Sequence, residues 1–220
     1  MTTQTTVLNA IAQDNPEGAA LIEHRGVILT YRSLREQVER LAGWLQRAGL
    51  SRGDRIAIVL PNGIEAVVAF LSAATAATAA PLNPNYRLEE FRYYLADTGA
   101  KALVVPAEGG ECARQAAAQG TLLIESRIDA SGRVQFFTSA HVRALGELDP
   151  SSAEDVALLL HTSGTTSRPK RVPLTHCNLL ASTRNVACSY ALASSDVSMC
   201  VMPLFHVHGL VGSLLSSLLV

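Results

Sequence analysis

A run of small polar residues, His161-Thr-Ser-Gly-Thr-Thr-Ser-Arg-Pro-Lys170, decides how this sequence is interpreted. It follows Val156–His161, an apolar segment with the length and composition of a buried strand, and it precedes a helical pattern over Thr175–Tyr190. We predict a loop over Thr162–Pro173 between these two elements. The backbone N–H groups and hydroxyls that such a loop brings together suit the oxygens of a phosphate group.

Three residues give this loop its expected chemistry. Gly164 lets the backbone approach a ligand closely, Lys170 can neutralise the charge of a pyrophosphate, and Pro169 stiffens the end of the loop. The spacing is not that of a Walker A loop, G-x-x-x-x-G-K-[ST], because the run contains a single glycine. From composition alone, an ordinary polar connector is the simpler explanation of the run.

Outward from the loop, the chain alternates between strand and helix patterns. A hairpin is predicted where Ala19–His24 and Val27–Leu29 flank Arg25-Gly26, and Thr30 stands where a helix N-cap belongs. After this cap a helix is predicted that stops at Gly49, with apolar residues at helical spacing: Leu34, Val38, Leu41, Leu45 and Ala48. The other predicted elements are strands at Arg55–Leu60, Lys101–Val105, Thr121–Glu125 and Met199–Met202; helices at Ile64–Ala80, Leu88–Asp97 and Glu111–Gln119; and a surface hairpin around Arg133–Phe137. Such alternation predicts an α/β fold with a mostly parallel sheet and flanking helices.

Two features indicate how the chain is organised. The polar stretch Ser126–Asp155 predicts a division into a first subdomain, 1–150, and the start of a second, 151–220, which contains the loop. The sequence closes on Ser213-Leu-Leu-Ser-Ser-Leu-Leu-Val220, an apolar half-helix without a cap or a polar tail. We therefore expect an incomplete domain whose exposed apolar end promotes self-association.

Composition excludes several functional classes. The 220 residues contain 18 Lys and Arg against 19 Asp and Glu, a formal net charge of −1, so no nucleic-acid partner is expected. The apolar runs are too short, or too interrupted by Thr and Ser, to span a membrane, and the N-terminus has no signal-peptide pattern. The four cysteines are scattered without a C-x-x-C pair, which argues against a disulfide framework or a zinc site and fits a reducing, cytoplasmic compartment.

The loop closely resembles the signature T-S-G-T-T-G-x-P-K-G of the adenylate-forming, or AMP-binding, acyl-CoA synthetase superfamily. Further stretches resemble landmarks of that family in the same order: Thr30-Tyr31 with Leu34, Arg52-Gly-Asp-Arg-Ile-Ala-Ile58, Leu60-Pro-Asn62 and Pro81-Leu-Asn-Pro84. By this resemblance, the residues that hold the ATP phosphates are Thr162, Ser163, Gly164, Thr165, Thr166 and Lys170. The implied reaction joins a carboxylate to ATP and releases pyrophosphate, after which coenzyme A displaces AMP. ATP, Mg²⁺ and coenzyme A are the cofactors that the resemblance implies.

Two positions of the loop depart from the common signature. Ser167 replaces a Gly, as in the T-S-G-T-T-S-R-P-K variant of oxalate-CoA ligases. Arg171 replaces the Gly that follows the Lys and is not part of that variant. If the Gly at this position normally has a positive φ, Arg171 strains the loop by about 1 kcal/mol or more.

A second candidate site is Pro203-Leu-Phe-His-Val-His-Gly209, which follows the predicted strand at Met199–Met202. If this segment is extended, His206 and His208 point the same way. They could be structural histidines or two ligands of a metal, but no nearby Cys, Asp or Glu offers the third ligand that zinc needs, so no metal site is predicted. The segment resembles the P-L-F-H stretch that lines the acyl pocket and thiol tunnel of the family. By that resemblance His206 is a catalytic and substrate-binding candidate and His208 a substrate-binding one, and two imidazoles would suit a dicarboxylate such as oxalate.

Together these residues predict the N-terminal part of an ATP-dependent acyl-CoA ligase, most similar to oxalate-CoA ligases and inactive alone because the family's C-terminal lid is absent. The alternatives are a non-catalytic truncated remnant that acts as a binding module, and a ligase of medium- or long-chain fatty acids. A different phosphate-binding protein, such as an NTPase, is disfavoured by the loop spacing. A peroxisomal location is compatible with the sequence if a signal lies at the missing C-terminus. His161 is assigned to packing.

Overall fold

The computed structural model describes residues 6–11, 15–24, 26–144, 149, 151–162 and 169–220. Its helices are α1 (Val7–Ala10), α2 (Tyr31–Arg47), α3 (Ile64–Ala76), α4 (Leu88–Thr98), α5 (Glu111–Ala116), α6 (His176–Tyr190) and α7 (Ser216–Leu218), with a π-helical segment at His208–Leu215. Its strands are β1 (Ala19–Ile22), β2 (Ile28–Thr30), β3 (Arg55–Ile58), β4 (Thr78–Pro81), β5 (Ala102–Pro106), β6 (Leu122–Ile128), β7 (Val134–Phe137), β8 (Val156–Thr162) and β9 (Lys170–Thr175).

Among the described residues, seven strands form one sheet in the order β7-β6-β5-β3-β4-β8-β9, and β1 and β2 form a separate hairpin. The inner strands from β6 to β8 are parallel, whereas β7 and β9 pair antiparallel with their neighbours at the two edges. The predicted α/β class, with its mostly parallel sheet, is therefore confirmed. Because β8 and β9 continue the sheet that the first 150 residues build, the two predicted subdomains share one sheet, and the division at residue 150 stays a prediction.

Two apolar cores lie on opposite faces of this sheet. Successive residues of β3, and Val59 directly after it, alternate between them: Ile56 and Ile58 belong to the larger core, Ala57 and Val59 to the smaller. This is the period of two that a strand buried on both faces requires. The larger core is built on α2 and α3, and the smaller on α4 and α5, so helices cover both faces of the sheet.

The predicted N-terminal hairpin and first long helix are confirmed. β1 and β2 pair antiparallel, and Thr30 Oγ1 accepts a hydrogen bond from the Ser33 amide at the start of α2. The helix buries its apolar stripe against α3: Leu34, Val38, Leu41 and Leu45. Beyond its end, Gly49 has a φ of +93°, which glycine reaches without the strain that a Cβ would add.

The predicted helix Ile64–Ala80 is too long. The structure ends α3 at Ala76 and turns the end of the run into β4 (Thr78–Pro81), a buried strand between β3 and β8. Alanine favours a helix, but this preference amounts to only a few tenths of a kcal/mol per residue, so tertiary pairing overrides it. Each residue of β4 pairs with one of β3, and small side chains suit a strand covered on both faces.

Two other predicted elements near the candidate sites also differ. The predicted loop Thr162–Pro173 is shorter, because Lys170–Thr175 forms β9 and pairs with β8. Pro173 suggested a loop, yet an edge strand tolerates proline because the missing N–H faces no partner there. The strand predicted at Met199–Met202 is wrong, since this segment has no regular secondary structure. The predicted surface hairpin at residues 133–137 is present as the antiparallel pair β6–β7.

The apolar C-terminal segment is buried, which corrects the expectation that it is exposed. Leu210, Leu215 and Leu218 belong to the larger core, and both the π-helical segment and α7 pack against α6. Among the large apolar side chains of the described residues, the two most exposed lie earlier, at Val197 and Met199, which are 81% and 83% exposed. Within the described part of the chain, no helix combines the length and the apolar character needed to cross a membrane.

Candidate active site

The ends of the predicted phosphate loop are held by a β-hairpin. Thr162 is the last residue of β8 and Lys170 the first of β9, and the two residues are partners in the antiparallel register. Thr162 Oγ1 also donates to the Lys170 carbonyl oxygen at 3.5 Å. The loop therefore leaves and re-enters the sheet at neighbouring positions, at the carboxyl end of β8.

The structure describes two of the residues assigned to the ATP phosphates, Thr162 and Lys170. The others, Ser163, Gly164, Thr165 and Thr166, lie outside the described residues, as does Ser167, so their roles stay predictions. Lys170 is exposed and forms no ion pair with any described carboxylate. An ammonium group that the protein itself does not neutralise is available to an anionic ligand.

Other stretches that the sequence marked as landmarks lie at the same edge of the sheet. Leu60-Pro-Asn62 follows β3, and Pro81-Leu-Asn-Pro84 begins at the last residue of β4. Because β3, β4 and β8 are parallel, their carboxyl ends share one edge. Open α/β sheets bind ligands outside the carboxyl ends of their strands, so the topology supports a ligand site next to the loop.

His161, directly before the loop, is buried and bonded to α4. Its side chain is 6% exposed, and its Nε2 lies 3.0 Å from Asp97 Oδ2. The imidazole makes an edge contact with the Tyr94 ring, which stacks on Tyr86, and burial raises the pKa of the Tyr86 hydroxyl. The packing role assigned to His161 is in place, but its partner Asp97 was missed, because no local pattern relates residues 64 positions apart.

Arg171 does not strain the chain, so the predicted strain is wrong. It lies in β9 opposite His161, and among the described non-glycine residues only Ala191 has a positive φ. Extended backbone is open to any residue. The Arg171 side chain reaches α4 instead: Nη1 donates to the Asp97 carbonyl oxygen at 2.9 Å, and Nε lies 3.6 Å from Asp97 Oδ2.

The histidine segment forms a turn that leads into the π-helical segment. The Leu210 amide donates to the His206 carbonyl at 3.0 Å, and His208 is the first π-helical residue. The predicted arrangement, with both imidazoles pointing the same way from an extended segment, is therefore wrong, and both residues are exposed. Their roles by resemblance stay predictions. Short π-helical stretches often mark functional sites.

Asn62, which belongs to the landmark Leu60-Pro-Asn62, anchors this histidine segment. Its Nδ2 donates to the Met202 carbonyl at 3.0 Å, and its Oδ1 accepts from the Leu204 amide at 2.9 Å. One side chain thus binds the backbone on both sides of Pro203. Gly209 completes the turn, because a Cβ there would collide with the Pro203 carbonyl oxygen.

Comparison with known proteins identifies the family. The profile of the family described as AMP-binding enzyme matches residues 8–220. The chain belongs to the AMP-binding enzyme family. This confirms the resemblance carried by the loop and by the landmarks around it.

Curated relatives of this AMP-binding chain are CoA ligases. It is 41% identical over 226 residues to a probable CoA ligase of Humulus lupulus, covering 99% of this chain and 42% of the relative. It is also 41% identical over 219 residues to an oxalate–CoA ligase of Arabidopsis thaliana, covering 96% and 42%. An oxalate–CoA ligase of Saccharomyces cerevisiae matches at 37% over 231 residues, covering 90% and 42%. The chain thus spans 42% of the length of these relatives.

Solved structures of related enzymes share the fold of this AMP-binding chain. Apo MatB from Rhodopseudomonas palustris superposes with a TM-score of 0.79 at 25% identity, covering 97% of this chain and 43% of MatB. The O-succinylbenzoate coenzyme A synthetase MenE from Bacillus subtilis, solved in complex with AMP, gives 0.77 at 26% identity, covering 98% and 42%. The flanked, mostly parallel sheet is therefore the fold of this family.

A Mg²⁺ ion at this site would need oxygen ligands from the protein near the loop. Within the described ranges, no group of three or more His, Cys, Asp or Glu is placed to hold a metal ion. Mg²⁺ in nucleotide sites is usually held by one or two carboxylates together with substrate phosphates. Asp97, the carboxylate next to the strand ends that flank the loop, is already engaged by His161 and Arg171. None of the described residues is therefore assigned to Mg²⁺.

Proposed function

We propose that this chain supplies the phosphate loop and the histidine segment of an ATP-dependent acyl-CoA ligase. In this reaction a substrate carboxylate attacks the α-phosphorus of ATP, forming an acyl-adenylate and releasing pyrophosphate. The thiol of coenzyme A then attacks the acyl carbon and displaces AMP, leaving a thioester. The observation that carries the proposal is the signature run between Thr162 and Lys170, framed by a hairpin at the carboxyl edge of a parallel sheet.

The proposed role of the hairpin is to place donors before the reaction begins. Negative charge on the phosphate oxygens is stabilised most effectively by groups that need no reorganisation. β9 holds the Lys170 backbone in the sheet and leaves its ammonium group exposed. The Thr162 hydroxyl now makes a 3.5 Å bond to the Lys170 carbonyl, at the limit of hydrogen bonding, so turning it to a phosphate oxygen costs little.

We propose a small carboxylate, oxalate, as the substrate. Two curated relatives are named oxalate–CoA ligases. By the resemblance, Ser167 also matches the loop variant of such enzymes. Another curated relative, from Amycolatopsis and 36% identical, is named feruloyl-CoA synthase, so similarity to CoA ligases does not select oxalate by itself. His206 and His208 do not lie on an extended segment, so their placement does not favour a dicarboxylate. His206, as catalytic and substrate-binding candidate, and His208, as substrate-binding candidate, therefore rest on the resemblance.

We further propose that the 220-residue chain has no ligase activity alone. It spans 42% of the length of its curated relatives. By the family resemblance, the contacts to adenine and ribose and the C-terminal lid come from the remainder. A loop that binds only the phosphates gains too little interaction energy to offset the entropy of association, so ATP binding is expected to be weak.

The test is ATP–pyrophosphate exchange by this chain alone and by this chain joined to the remainder of the Arabidopsis oxalate–CoA ligase. We expect no exchange from the chain alone and oxalate-dependent exchange from the joined protein. Lys170→Ala should lower that exchange about 10²-fold, the usual cost of losing one preorganised donor. Lys101→Ala is the matched control, because Lys101 pairs with Asp54 away from the loop.

Each part of the proposal has its own refuting result. Exchange from the chain alone would contradict its inactivity. If the Lys170→Ala variant exchanges ATP and pyrophosphate as fast as the Lys101→Ala variant does, the proposed role of the loop is refuted. A joined protein that uses medium- or long-chain fatty acids and ignores oxalate would overturn the substrate while leaving the ligase reaction standing.

A further inference from the structure

Asp97 lies outside both candidate sites, yet it contacts both ends of the phosphate loop. We propose that Asp97 is a positioning residue that anchors the two stems of the loop, through His161 on β8 and Arg171 on β9, to α4. The proposal rests on the proposed function for the identity of the ligand. The anchor itself stands on contacts between described residues.

The register explains how two strands reach one carboxylate. His161 and Arg171 are partners one position outside the Thr162–Lys170 pair. Side chains of directly opposite residues project from the same face of a sheet, so both reach the α4 face. Asp97, in the last turn of α4, meets His161 Nε2 at 3.0 Å and Arg171 Nε at 3.6 Å, both through Oδ2.

Arg171 makes a second contact that an isolated surface ion pair lacks. Its Nη1 donates to the Asp97 main-chain carbonyl, one of the last carbonyls of α4, at 2.9 Å. These carbonyls have no partner within the helix, and a positive charge is favoured beside them. An arginine that is 54% exposed contributes little through a single pair, but here it joins a network whose His161–Asp97 bond is shielded from water.

The anchor has two consequences for a phosphate ligand. Successive residues of a strand project from opposite faces, so Arg171 is engaged with α4 while Lys170 points away from it, free for the ligand. The Arg171 guanidinium also neutralises the Asp97 carboxylate, which would otherwise repel an anion bound at the loop. Arginine at this position therefore adds a contact that the glycine of the common signature cannot make.

A double-variant cycle read by amide hydrogen exchange tests the anchor in the 220-residue chain. Arg171→Gln should speed exchange of the Thr162 and Lys170 amides about three- to fivefold, the upper range for a half-exposed charge pair. Asp97→Ala should speed it about tenfold or more, because His161 and Arg171 both lose the carboxylate that joins them. In the Asp97→Ala background, Arg171→Gln should add less than it does alone, because only the bond to the main-chain carbonyl of residue 97 remains to be lost.

The proposed anchor would be refuted if the effects of Asp97→Ala and Arg171→Gln on amide exchange simply add in the double variant. It would also be refuted if Arg171→Gln alone leaves the exchange rates unchanged. Arg127→Gln is the matched control: Arg127 is an exposed arginine on β6, over the Phe137 ring, and its loss should leave the loop stem unchanged. If Asp97→Ala lowers the folded fraction, Asp97→Asn replaces it in the cycle. The amide retains an acceptor for His161 but carries no charge for Arg171.

Titration with inorganic pyrophosphate separates this proposal from the proposed function. Arg171→Gln should weaken pyrophosphate binding about threefold, and Arg171→Lys should recover part of the loss because it restores the charge. Because the chain alone is expected to bind phosphates weakly, this titration uses the joined protein. Failure of the joined protein to bind pyrophosphate would count against the proposed function, while the hydrogen-exchange cycle would still test the anchor. Binding of pyrophosphate that Arg171→Gln leaves unchanged would remove the anchor's role in ligand binding.

Discussion

Replacing Asn62 should loosen the histidine segment more than the exposed position of Asn62 suggests. Asn62→Ala removes both hydrogen bonds, one to the Met202 carbonyl and one from the Leu204 amide. Met202 is partly exposed, so water can replace the first bond, whereas Leu204 is buried and its amide is left without a partner. A neutral hydrogen bond contributes about 0.5–1.5 kcal/mol and a buried unpaired donor costs about 1–3 kcal/mol, so the loss should be about 1–2 kcal/mol.

A comparison of Asn62→Ala with Asn62→Asp separates the contributions of the two hydrogen bonds. Asn62→Asp keeps an oxygen that accepts from the Leu204 amide but places a carboxylate against the Met202 carbonyl, so the two oxygens repel each other. We expect it to protect the Leu204 amide from exchange better than Asn62→Ala does. The Met202 side of the turn should loosen in both variants.

The direct assay is hydrogen exchange of the Leu204 amide, supported by urea unfolding followed through Trp44, the single tryptophan of the chain. A loss of 1–2 kcal/mol predicts about 5–30-fold faster exchange in Asn62→Ala. Asn83→Ala is the matched control, because Asn83 Oδ1 accepts only the local Asn85 amide in the loop after β4. If Asn62→Ala changes the Leu204 exchange no more than Asn83→Ala does, the anchoring role of Asn62 is refuted.

Three further predictions concern stability and association. His176 is buried, and burial lowers its pKa, so on acidification the unfolded chain takes up a proton at this histidine before the folded chain does. The contribution of His176 to the free energy of unfolding is complete above about pH 6.5. Below that pH the free energy of unfolding, measured by urea titration, should fall by at most about 1.4 kcal/mol per pH unit. Gly209→Ala should lower the free energy of unfolding by about 1–3 kcal/mol, because the new Cβ meets the Pro203 carbonyl oxygen. Val197→Ser combined with Met199→Ser should reduce concentration-dependent association in light scattering, since these two side chains are 81% and 83% exposed.

Matched variants check each of these outcomes. The acid slope should disappear in His176→Gln and persist in His141→Gln, which alters an exposed histidine; a slope that survives in both contradicts the first prediction. Gly212→Ala, in the same π-helical segment as Gly209, adds a Cβ in ordinary contact with the His208 ring at 3.5 Å and should stabilise by up to about 1 kcal/mol. Phe137→Ser removes an exposed aromatic side chain from β7, at the opposite edge of the sheet from β9. An equal fall in association in this variant would show that association does not depend specifically on Val197 and Met199.

The sequence by itself determined those features whose physical cause is local. The hairpin β1–β2, the Thr30 cap and the buried stripe of α2 follow from turn residues, a hydroxyl at an N-cap and helical spacing. The helix predicted to end at Asp97 ends one residue later, at Thr98, before Gly99, which has a φ of +61°. The signature run before Lys170 located the candidate site and its family, because phosphate-binding chemistry is concentrated in consecutive residues.

Only the tertiary structure decided the features that depend on partners far along the chain. Thr78–Pro81 is a strand because β3 and β8 offer hydrogen bonds on both sides, although the apolar run itself suits a buried helix equally well. Arg171 is unstrained and useful because β8 and Asp97 lie beside it, and Asn62 acts through a segment 140 residues away. Pairing and burial are set by distance in space, and a pattern read along one chain carries no information on which remote residues will meet.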